Sequence, residues 1–339
     1  MRLSGKITAI NALLKARVFN KKTPLLVTWE ITRRCNVRCK YCSIWDDAPE
    51  ELDTTQIFSI IRELSLLGTQ VIHFTGGEPL LRSDFGQILE YCYKKGILTS
   101  LNSNGTLVSS RIDELMTLQV LGVSIDGPEE VHDKVRGAGS YKKAMEALAI
   151  ARDRGIQIRL LTVLSKYNLD AVDFLLDRAM ELDASVVFQP ATELLLGGEG
   201  RNLTAPEVER YHRVIEQIIV KKRGRQARYI ANSVSALKFL YDWPDMKMIR
   251  CLASLISCRI ESDGRVCICF RNQVRGATIG DGRQSVKDAF MKIPLVYCNK
   301  CCCASAVELN CLLSLKFDAI FNTWRYLLYR WLFRDGEGQ

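Results

Sequence analysis

Apolar segments of strand length alternate with helical segments six times between residues 25 and 222. The predicted strands span 25–31, 70–77, 97–105, 120–127, 157–164 and 185–190, and the predicted helices span 53–67, 83–95, 109–118, 140–154, 168–182 and 205–222. Successive strand–helix units with right-handed crossovers form a parallel sheet. Six units are too few for a closed eight-stranded barrel, so the sequence predicts an α/β fold built as an open, partial (β/α)6 barrel. In such sheets the functional groups lie at the carboxyl ends of the strands.

The length and composition of the chain predict a soluble protein with one large and one small domain. Its 339 residues are 47% apolar and 25% charged, and no apolar run reaches the roughly 18 residues that a membrane-spanning helix needs. The start of the chain lacks the features of a secretory signal, so we expect a cytoplasmic protein. The predicted parts are an amphipathic N-terminal segment (1–23), the barrel core (24–225), a small cysteine-rich C-terminal domain (226–311), and an amphipathic C-terminal helix and tail (312–339).

Thirteen cysteines are the strongest indication of chemistry. Three lie at 35–42, Cys92 stands alone in a predicted helix, and nine fall between 251 and 311. A reducing cytosol disfavours a disulfide framework, and clustered cysteines in such a protein are more often metal ligands or catalytic groups. The distribution therefore predicts two cysteine-bearing regions with different roles, while Cys92 is expected to pack as a small apolar side chain.

The N-terminal cysteines, Cys35, Cys39 and Cys42, directly follow the first predicted strand. A structural zinc site needs four ligands, and no fourth Cys or His lies near these three in the sequence. A [4Fe–4S] cluster offers four iron corners, which are commonly all held by thiolates. Three protein thiolates would leave one iron open to a small molecule, and we interpret this open iron as the functional position.

The segment CNVRCKYC (35–42) resembles the CxxxCxxC motif of the radical S-adenosylmethionine (SAM) enzymes, including the aromatic residue before the last cysteine, Tyr41. The resemblance extends over roughly residues 24–222. It implies that the three cysteines hold a [4Fe–4S] cluster whose open iron binds SAM. It also implies that an electron passed through the cluster cleaves SAM to methionine and a 5′-deoxyadenosyl radical, which abstracts a hydrogen atom from the substrate.

Three further motifs at predicted strand ends agree with this resemblance. GGEPL (76–80) looks like the family's strand-two motif, in which the glycines let the backbone approach SAM and the glutamate accepts from its amino group. NSNG (102–105) and SIDG (124–127) match positions that contact the ribose and the carboxylate, and Tyr41 would lie near the adenine. The SAM-contacting residues implied in this way are Tyr41, Gly76, Gly77, Glu78, Ser103, Asn104, Ser124 and Asp126.

The C-terminal cysteines are similar to the opening of the SPASM and twitch extensions found in one radical SAM subgroup. A cysteine is followed after twelve residues by Gly264 and after four more by another cysteine, and a CxxC comes later. The resemblance implies one auxiliary [4Fe–4S] cluster, or two if all candidate cysteines serve, with zinc as the alternative. The candidate ligands are Cys251, Cys258, Cys269, Cys298, Cys301 and Cys311.

The sequence also departs from the SPASM spacing. Cys302 and Cys303 directly follow Cys301, and neighbouring side chains diverge along an extended backbone, so we do not expect all three to serve one cluster. Cys267 precedes Cys269 by two positions in a predicted hairpin around DGRV (263–266), and it would point to the opposite strand face. We therefore expect Cys267 to be a spare cysteine.

Residues 311–333 carry apolar side chains at three- and four-residue steps, which predicts one apolar helix face. This face comprises Leu313, Phe317, Ile320, Trp324, Leu327 and Trp331. Interspersed charges argue against a membrane span. Two interpretations remain open: a helix packed over the barrel, or a surface helix at a membrane, where Trp, Tyr and Arg are favoured.

The predicted function is that of a radical SAM enzyme that modifies a ribosomally made peptide. One alternative is a lipid or small-molecule cofactor precursor as substrate, and a remote alternative is a non-catalytic metal-binding protein. Reduced flavodoxin or ferredoxin is the implied electron donor, and no nucleic acid partner is expected. The amphipathic ends raise peripheral contact with the inner face of the membrane as a further hypothesis.

Overall fold

Six parallel strands in chain order form the centre of the protein. The computed structural model describes residues 3–46, 50–191, 204–245, 249–269, 280–295, 297–298, 301 and 303–323. The strands are β1 (Leu26–Thr32), β2 (Val71–Gly76), β3 (Leu98–Ser103), β4 (Val120–Ser124), β5 (Gln157–Leu164) and β6 (Ser185–Pro190). Each pairs in parallel with the next along the chain. The predicted partial (β/α)6 barrel is confirmed.

One helix precedes β1, and the others follow the strands and cover one face of the sheet. They are α1 (Leu3–Phe19), α2 (Thr54–Leu66), α3 (Phe85–Lys94), α4 (Val108–Arg111), α5 (Glu129–Arg136), α6 (Ser140–Asp153), α7 (Val172–Glu181), α8 (Val208–Arg223) and α9 (Val234–Tyr241). In β1, Val27, Trp29 and Ile31 belong to the main core with buried side chains of α2 and α3. Side chains alternate along a strand, so Glu30 and its neighbours in register face the other side of the sheet.

The helix α2 shows why the sequence-based boundaries are close to the observed ones. Asp53 caps it: its Oδ1 accepts from Gln56 N at 2.8 Å, and Gln56 Oε1 accepts from Asp53 N at 2.9 Å. This reciprocal pair satisfies two backbone donors at the helix start. Ile57, Ile61 and Leu64 then bury one face of the helix against the sheet.

Two predicted connections differ from the structure. The helix expected over 109–118 is only the short α4, followed by a 3-10 turn over Ile112–Leu115. Arg111 at its end donates to the carbonyl oxygen of Arg82 at 2.7 Å, so a tertiary contact shapes this segment. The helix α5, in contrast, is present where no helix was predicted, and Gly137, with φ of +110°, ends it.

The cysteine-rich segment continues the barrel sheet at its first edge. After β7 (Ile249–Arg250) and α10 (Ala253–Ile256), strand β8 (Ser257–Ile260) pairs in parallel with β1. Strands β9 (Arg265–Cys267) and β10 (Gly280–Asp281) extend the sheet, so its order is β10-β9-β8-β1-β2-β3-β4-β5-β6. The predicted hairpin is confirmed: β8 and β9 are antiparallel and turn at Gly264, whose φ is +89°. Arg259 of β8 forms an ion pair with the buried Glu30 of β1.

The rest of the C-terminal region packs over the barrel. It comprises α11 (Gly282–Met291), β11 (Tyr297–Cys298), α12 (Ala304–Leu313) and a helical segment at 317–323. Asp318 Oδ1 accepts from Ser235 Oγ at 2.6 Å, and Asn322 Nδ2 donates to Ala231 O at 2.7 Å. The described part of this end, up to residue 323, therefore packs against the body of the protein.

The predicted continuous apolar face over 311–333 is wrong in the part that the structure describes. The chain breaks between α12 and 317–323 at Leu315, whose φ is +56°. In the second helix Ala319 and Asn322 are buried, whereas Phe317 is 89% exposed and Phe321 60%. The last predicted positions of that face, Trp324, Leu327 and Trp331, lie outside the described residues. Within the described ranges, no helix is both long and apolar enough to cross a membrane.

Candidate metal and cofactor site

The three N-terminal cysteines lie in the loop after β1 and are half-buried. Burial raises the pKa of all three thiols, that of Cys39 to about 11, and the negative charge of each neighbouring thiolate opposes ionisation of Cys39 further. Cys35 and Cys42 are therefore close enough to Cys39 to interact electrostatically. Three mutually repelling thiolates in a partly buried loop fit a cationic metal centre, which would favour their charged form.

This donor set matches a cluster better than one ion. Among the described residues, no three His, Cys, Asp or Glu side chains are placed to hold a single metal ion. A [4Fe–4S] cluster takes one thiolate at each iron, so its cysteines surround a volume and do not converge on one point. The three thiols of this one loop would supply three of the four ligands that such a cluster takes.

Gly76 and Gly77, at the end of β2, allow the cysteine loop to lie against this strand end. Gly77 N donates to Thr32 O at 2.9 Å, and Glu78 N donates to Arg34 O at 2.8 Å. A Cβ atom at Gly76 would lie 2.1 Å from Thr32 O, and one at Gly77 would lie 2.1 Å from Arg34 O. Only glycine permits this approach, which positions the residue before Cys35 beside Glu78.

Glu78 is completely buried at the centre of the site. Its carboxylate accepts from Leu80 N at 3.1 Å, from Ser103 Oγ at 3.0 Å and from Asn104 N at 2.8 Å. These donors are uncharged, and burial raises the pKa of Glu78 to about 7 although their hydrogen bonds oppose the shift. A buried carboxylate in such surroundings favours a cationic ligand.

Asn104 joins the NSNG motif to the cysteine loop. Its Nδ2 donates to Asn36 Oδ1 at 2.9 Å and lies 4.0 Å from Cys35 Sγ. Asn104 N also donates to Glu78, so one residue connects the ends of β2 and β3 with the first cysteine. The structure thus brings together three motifs that lie up to 69 residues apart in the chain.

Asp126, from the SIDG motif, belongs to a second buried unit. Tyr41 Oη donates to Asp126 Oδ2 at 3.0 Å, and Arg136 Nε donates to the same oxygen at 2.7 Å. Arg136 also donates to Tyr41 Oη and lies with its Nη1 3.6 Å from Cys39 Sγ. Ser124, by comparison, ends β4 in register with Leu161 and is half-buried; its SAM contact remains a prediction.

Arg136 is the site residue that the sequence analysis missed. It ends α5, for which the signals were present: Glu129 in the first turn, Arg136 in the last, and Gly137 directly after. Acidic first turns and basic last turns complement the helix dipole. The turn signal of Gly127 and Pro128 concealed this helix.

The C-terminal cysteines separate into groups. Cys301 and Cys311 pack against the same small apolar cluster of α9 and α12. Asn310 Nδ2 lies 3.8 Å from Cys251 Sγ, while its Oδ1 accepts from Leu252 N at 2.8 Å. Strand β11 pairs with β7, and Cys298 is the register partner of Ile249, two residues before Cys251. These contacts bring four of the six candidate positions to one region.

The remaining cysteines have other surroundings. Cys258 lies in the main core, where burial raises its pKa to about 12. Cys267 is buried too, with its Sγ 3.4 Å from Glu261 Oε1, whereas Cys269 is half-buried. Cys303 caps α12, and Cys302 lies outside the described residues. As predicted for a small apolar side chain, Cys92 is fully buried in the main core.

Comparison with known proteins agrees with this geometry. Residues 29–179 match the profile of the Radical SAM superfamily. Over 152 residues the chain is 33% identical to an AdoMet-dependent heme synthase of Nitratidesulfovibrio vulgaris. The matched segment covers 42% of this chain and 41% of the heme synthase. It is 31% identical to the mycofactocin maturase MftC of Mycolicibacterium smegmatis over 44% of this chain and 40% of the relative. The chain thus spans about two-fifths of the length of the curated relatives that it matches.

The fold also resembles that of a solved structure. The crystal structure of Streptococcus suis SuiB bound to S-adenosylmethionine matches 85% of this chain and 70% of SuiB, with a TM-score of 0.68 and 17% identity. A second SuiB structure contains its precursor peptide SuiA. The match extends well beyond the superfamily region, so the C-terminal part shares in the similarity of fold.

Proposed function

We propose that this chain, which carries a radical SAM domain over residues 29–179, is an enzyme that binds a [4Fe–4S] cluster and SAM at the carboxyl ends of its strands. When bound, these groups supply a 5′-deoxyadenosyl radical that abstracts hydrogen from a substrate. Cys35, Cys39 and Cys42 would hold the cluster. The observation that carries this proposal is the hydrogen-bonded unit in which Asn104 contacts both the cysteine loop and the buried Glu78.

The protein's own residues would bind and orient SAM. The buried Glu78 carboxylate supports a role as acceptor for the ammonium group, because an opposite charge stabilises its ionised form. Gly76 and Gly77 keep the backbone open for close approach. Ser103, Asn104, Ser124 and Asp126 remain the proposed contacts to the ribose and carboxylate, and Tyr41 the proposed neighbour of the adenine.

The direct test is SAM cleavage by the anaerobically reconstituted full chain. We expect 5′-deoxyadenosine to form after addition of SAM and dithionite, and we expect none from Cys39→Ala. The matched control is Cys92→Ser, in which a cysteine far from the site is replaced. Absence of 5′-deoxyadenosine from iron-loaded wild-type protein would contradict the proposal.

We further propose auxiliary iron–sulfur chemistry in the C-terminal region. Its support is the packing of Cys301 and Cys311 against one apolar cluster and the contact of Cys251 Sγ with Asn310, the residue before Cys311, together with the register position of Cys298. Cys258 and Cys269 complete the candidate ligands named from the sequence, although Cys258 packs in the main hydrophobic core. The number of clusters is measured by iron and sulfide analysis with Mössbauer spectroscopy.

A peptide is the proposed substrate class. MftC is named as a maturase, a further relative at 30% identity is a PqqA peptide cyclase, and SuiB was solved with a precursor peptide. The heme synthase relatives favour a second candidate, a small cofactor precursor. The test compares 5′-deoxyadenosine formation with any short peptide found to be encoded next to the gene and with an iron porphyrin. Stimulation by the porphyrin alone would overturn the peptide proposal.

Two partners are proposed on charge and exposure. The net charge of +9 suits an acidic donor such as flavodoxin or ferredoxin, and this is tested by replacing dithionite with each reduced protein. Exposed Phe317, Ile320 and Phe321 support peripheral membrane contact. We expect Phe317→Ser/Phe321→Ser to reduce sedimentation with anionic liposomes, while the exposed-site control Leu66→Ser does not. Equal sedimentation of both variants would exclude this surface.

A further inference from the structure

The guanidinium of Arg136 joins a buried ion pair to a proposed cluster ligand. It is 7% exposed, and its partner Asp126 is completely buried. Its Nε donates to Asp126 Oδ2 at 2.7 Å, while Nη1 lies 3.6 Å from Cys39 Sγ. The distance to sulfur is that of an N–H···S hydrogen bond, which is longer than a bond to oxygen because sulfur is larger.

Several contacts prevent this guanidinium from turning away. Tyr41 Oη donates to the same Asp126 oxygen at 3.0 Å, and Arg136 donates to Tyr41. Asp126 is itself held from the backbone, since its Oδ1 accepts from Val163 N at 3.3 Å. The cysteine loop is tied to α5 as well: Lys40 N donates to Val135 O at 3.0 Å. Side-chain and backbone hydrogen bonds thus hold the Arg136 guanidinium beside the Cys39 sulfur.

A fixed cation beside one ligand has a definite effect on a redox centre. One-electron reduction by an external donor adds a negative charge to the cluster. A neighbouring positive charge and a hydrogen bond to a ligand sulfur stabilise the more negative state, and they act strongly where water is excluded. Arg38 offers a comparison, because its exposed guanidinium donates at 2.6 Å to the carbonyl oxygen of Cys35 and not to a sulfur.

We propose that Arg136 is a positioning residue that raises the reduction potential of the N-terminal cluster through its contact with Cys39. The inference rests on the proposed function, because it needs a cluster at Cys35, Cys39 and Cys42. The new point is that Arg136, at the end of α5, raises the reduction potential enough for the cell's electron donors to reduce the cluster. Arg136 acts through the ligand and does not react with substrate.

The experiment is a redox titration of the anaerobically reconstituted full chain without SAM, followed by electron paramagnetic resonance. The N-terminal cluster's signal is identified as the one absent from Cys39→Ala. The main variant is Asp126→Asn/Arg136→Gln, because replacing both partners leaves no uncompensated buried charge. We expect its midpoint to be more negative, with the ratio of reduced to oxidised cluster falling about tenfold at fixed potential, or about 59 mV. Arg136→Lys keeps the positive charge but lacks the planar guanidinium with its paired N–H donors. Its midpoint potential should therefore also become more negative, but by less than that of the double variant.

The outcomes separate the alternatives. Arg38→Gln removes a solvent-exposed charge that does not contact a ligand sulfur, so it should shift the midpoint by less than the double variant does. A double variant with full iron content and an unchanged midpoint would overturn the inference, even if its SAM affinity falls, since Arg136 would then serve SAM alone. If the double variant does not load iron, an unchanged midpoint in Arg136→Lys overturns it. Wild-type protein that binds no N-terminal cluster counts against both the proposed function and this inference, and an iron content equal to that of Cys39→Ala shows this before any titration.

Discussion

The hydroxyl of Ser103, at the end of β3, donates to the carboxylate of Glu78, after the end of β2, and its Oγ lies 3.0 Å from each carboxylate oxygen. Both residues are buried. The contact places a hydrogen-bond donor beside a carboxylate whose pKa burial raises to about 7. Together with Asn104 N and Leu80 N, Ser103 therefore favours the ionised form of Glu78 against the effect of burial.

The pH dependence of SAM binding follows from this pair. The Glu78 carboxylate gains its charge as the pH rises through about 7, and only the charged form attracts an ammonium group. We expect the affinity for SAM, measured by equilibrium dialysis under anaerobic conditions with no reductant of the cluster present, to increase between pH 6 and pH 8 and then to level. Glu78→Gln should bind weakly and without this dependence. A wild-type affinity that falls over the same interval would contradict the assignment.

Ser103→Ala should move that dependence to higher pH. Loss of a donor to the charged form raises the pKa of the carboxyl group, and a hydrogen bond to a charged group contributes about 1.5–3 kcal/mol. We expect SAM binding at pH 7 to weaken about tenfold, with partial recovery at pH 8.5. The control is Ser110→Ala, whose exposed hydroxyl donates only to Leu107 O at 3.0 Å. Equal weakening of SAM binding in the two variants would contradict a role for Ser103 in the site.

The glycine at the end of β2 should control the position of the cysteine loop. In Gly77→Ala the new Cβ would lie 2.1 Å from Arg34 O, so the backbone before Cys35 must move. We expect the free energy of unfolding to fall by more than about 2 kcal/mol and cluster loading to decrease. Gly96→Ala is the control, because its Cβ meets nothing within 4 Å and only the φ of +74° costs about 1 kcal/mol. Urea denaturation and iron analysis check both quantities.

The two cysteine regions should lose iron independently. Cys251→Ser and Cys311→Ser are each expected to lose about four irons per chain, one cluster, and to keep the N-terminal centre. Cys267→Ser should keep all of its iron, because its buried Sγ contacts Glu261 and a serine hydroxyl can donate there instead. Iron content, together with SAM cleavage under dithionite, distinguishes these results. Loss of iron from Cys267→Ser equal to that from Cys311→Ser would show that the grouping is incorrect.

Local patterns account for the parts of the fold that were predicted well. Helix α2 was expected over 53–67 and spans Thr54–Leu66, since its capping box and apolar period lie within the segment itself. The segment at 109–118 was predicted poorly because Arg111 is held by carbonyl groups of the preceding strand–helix connection. The apolar spacing at 311–333 was misleading for a similar reason: Asp318 and Asn322 decide which face docks.

The candidate site divides in the same way. Its cysteine motif and strand-end motifs could be read from the sequence, because each is a run of a few residues with its own spacing. The contact of Arg136 with Cys39 joins positions 97 residues apart, and no local pattern specifies that distance. The six candidate auxiliary cysteines likewise could be named but not sorted, and their ligand roles stay predictions.

Local sequence patterns set the order of strands and helices and the residue types available at each strand end, because periodicity, caps and glycine positions act over a few residues. The packed fold sets which of these residues meet. It added β8 to the open edge of β1, buried Glu78 without a cationic hydrogen-bond donor and set Arg136 against Cys39. Contacts between distant residues, and their burial, depend on how all the helices and strands pack together and exclude water. No short segment of the sequence specifies them.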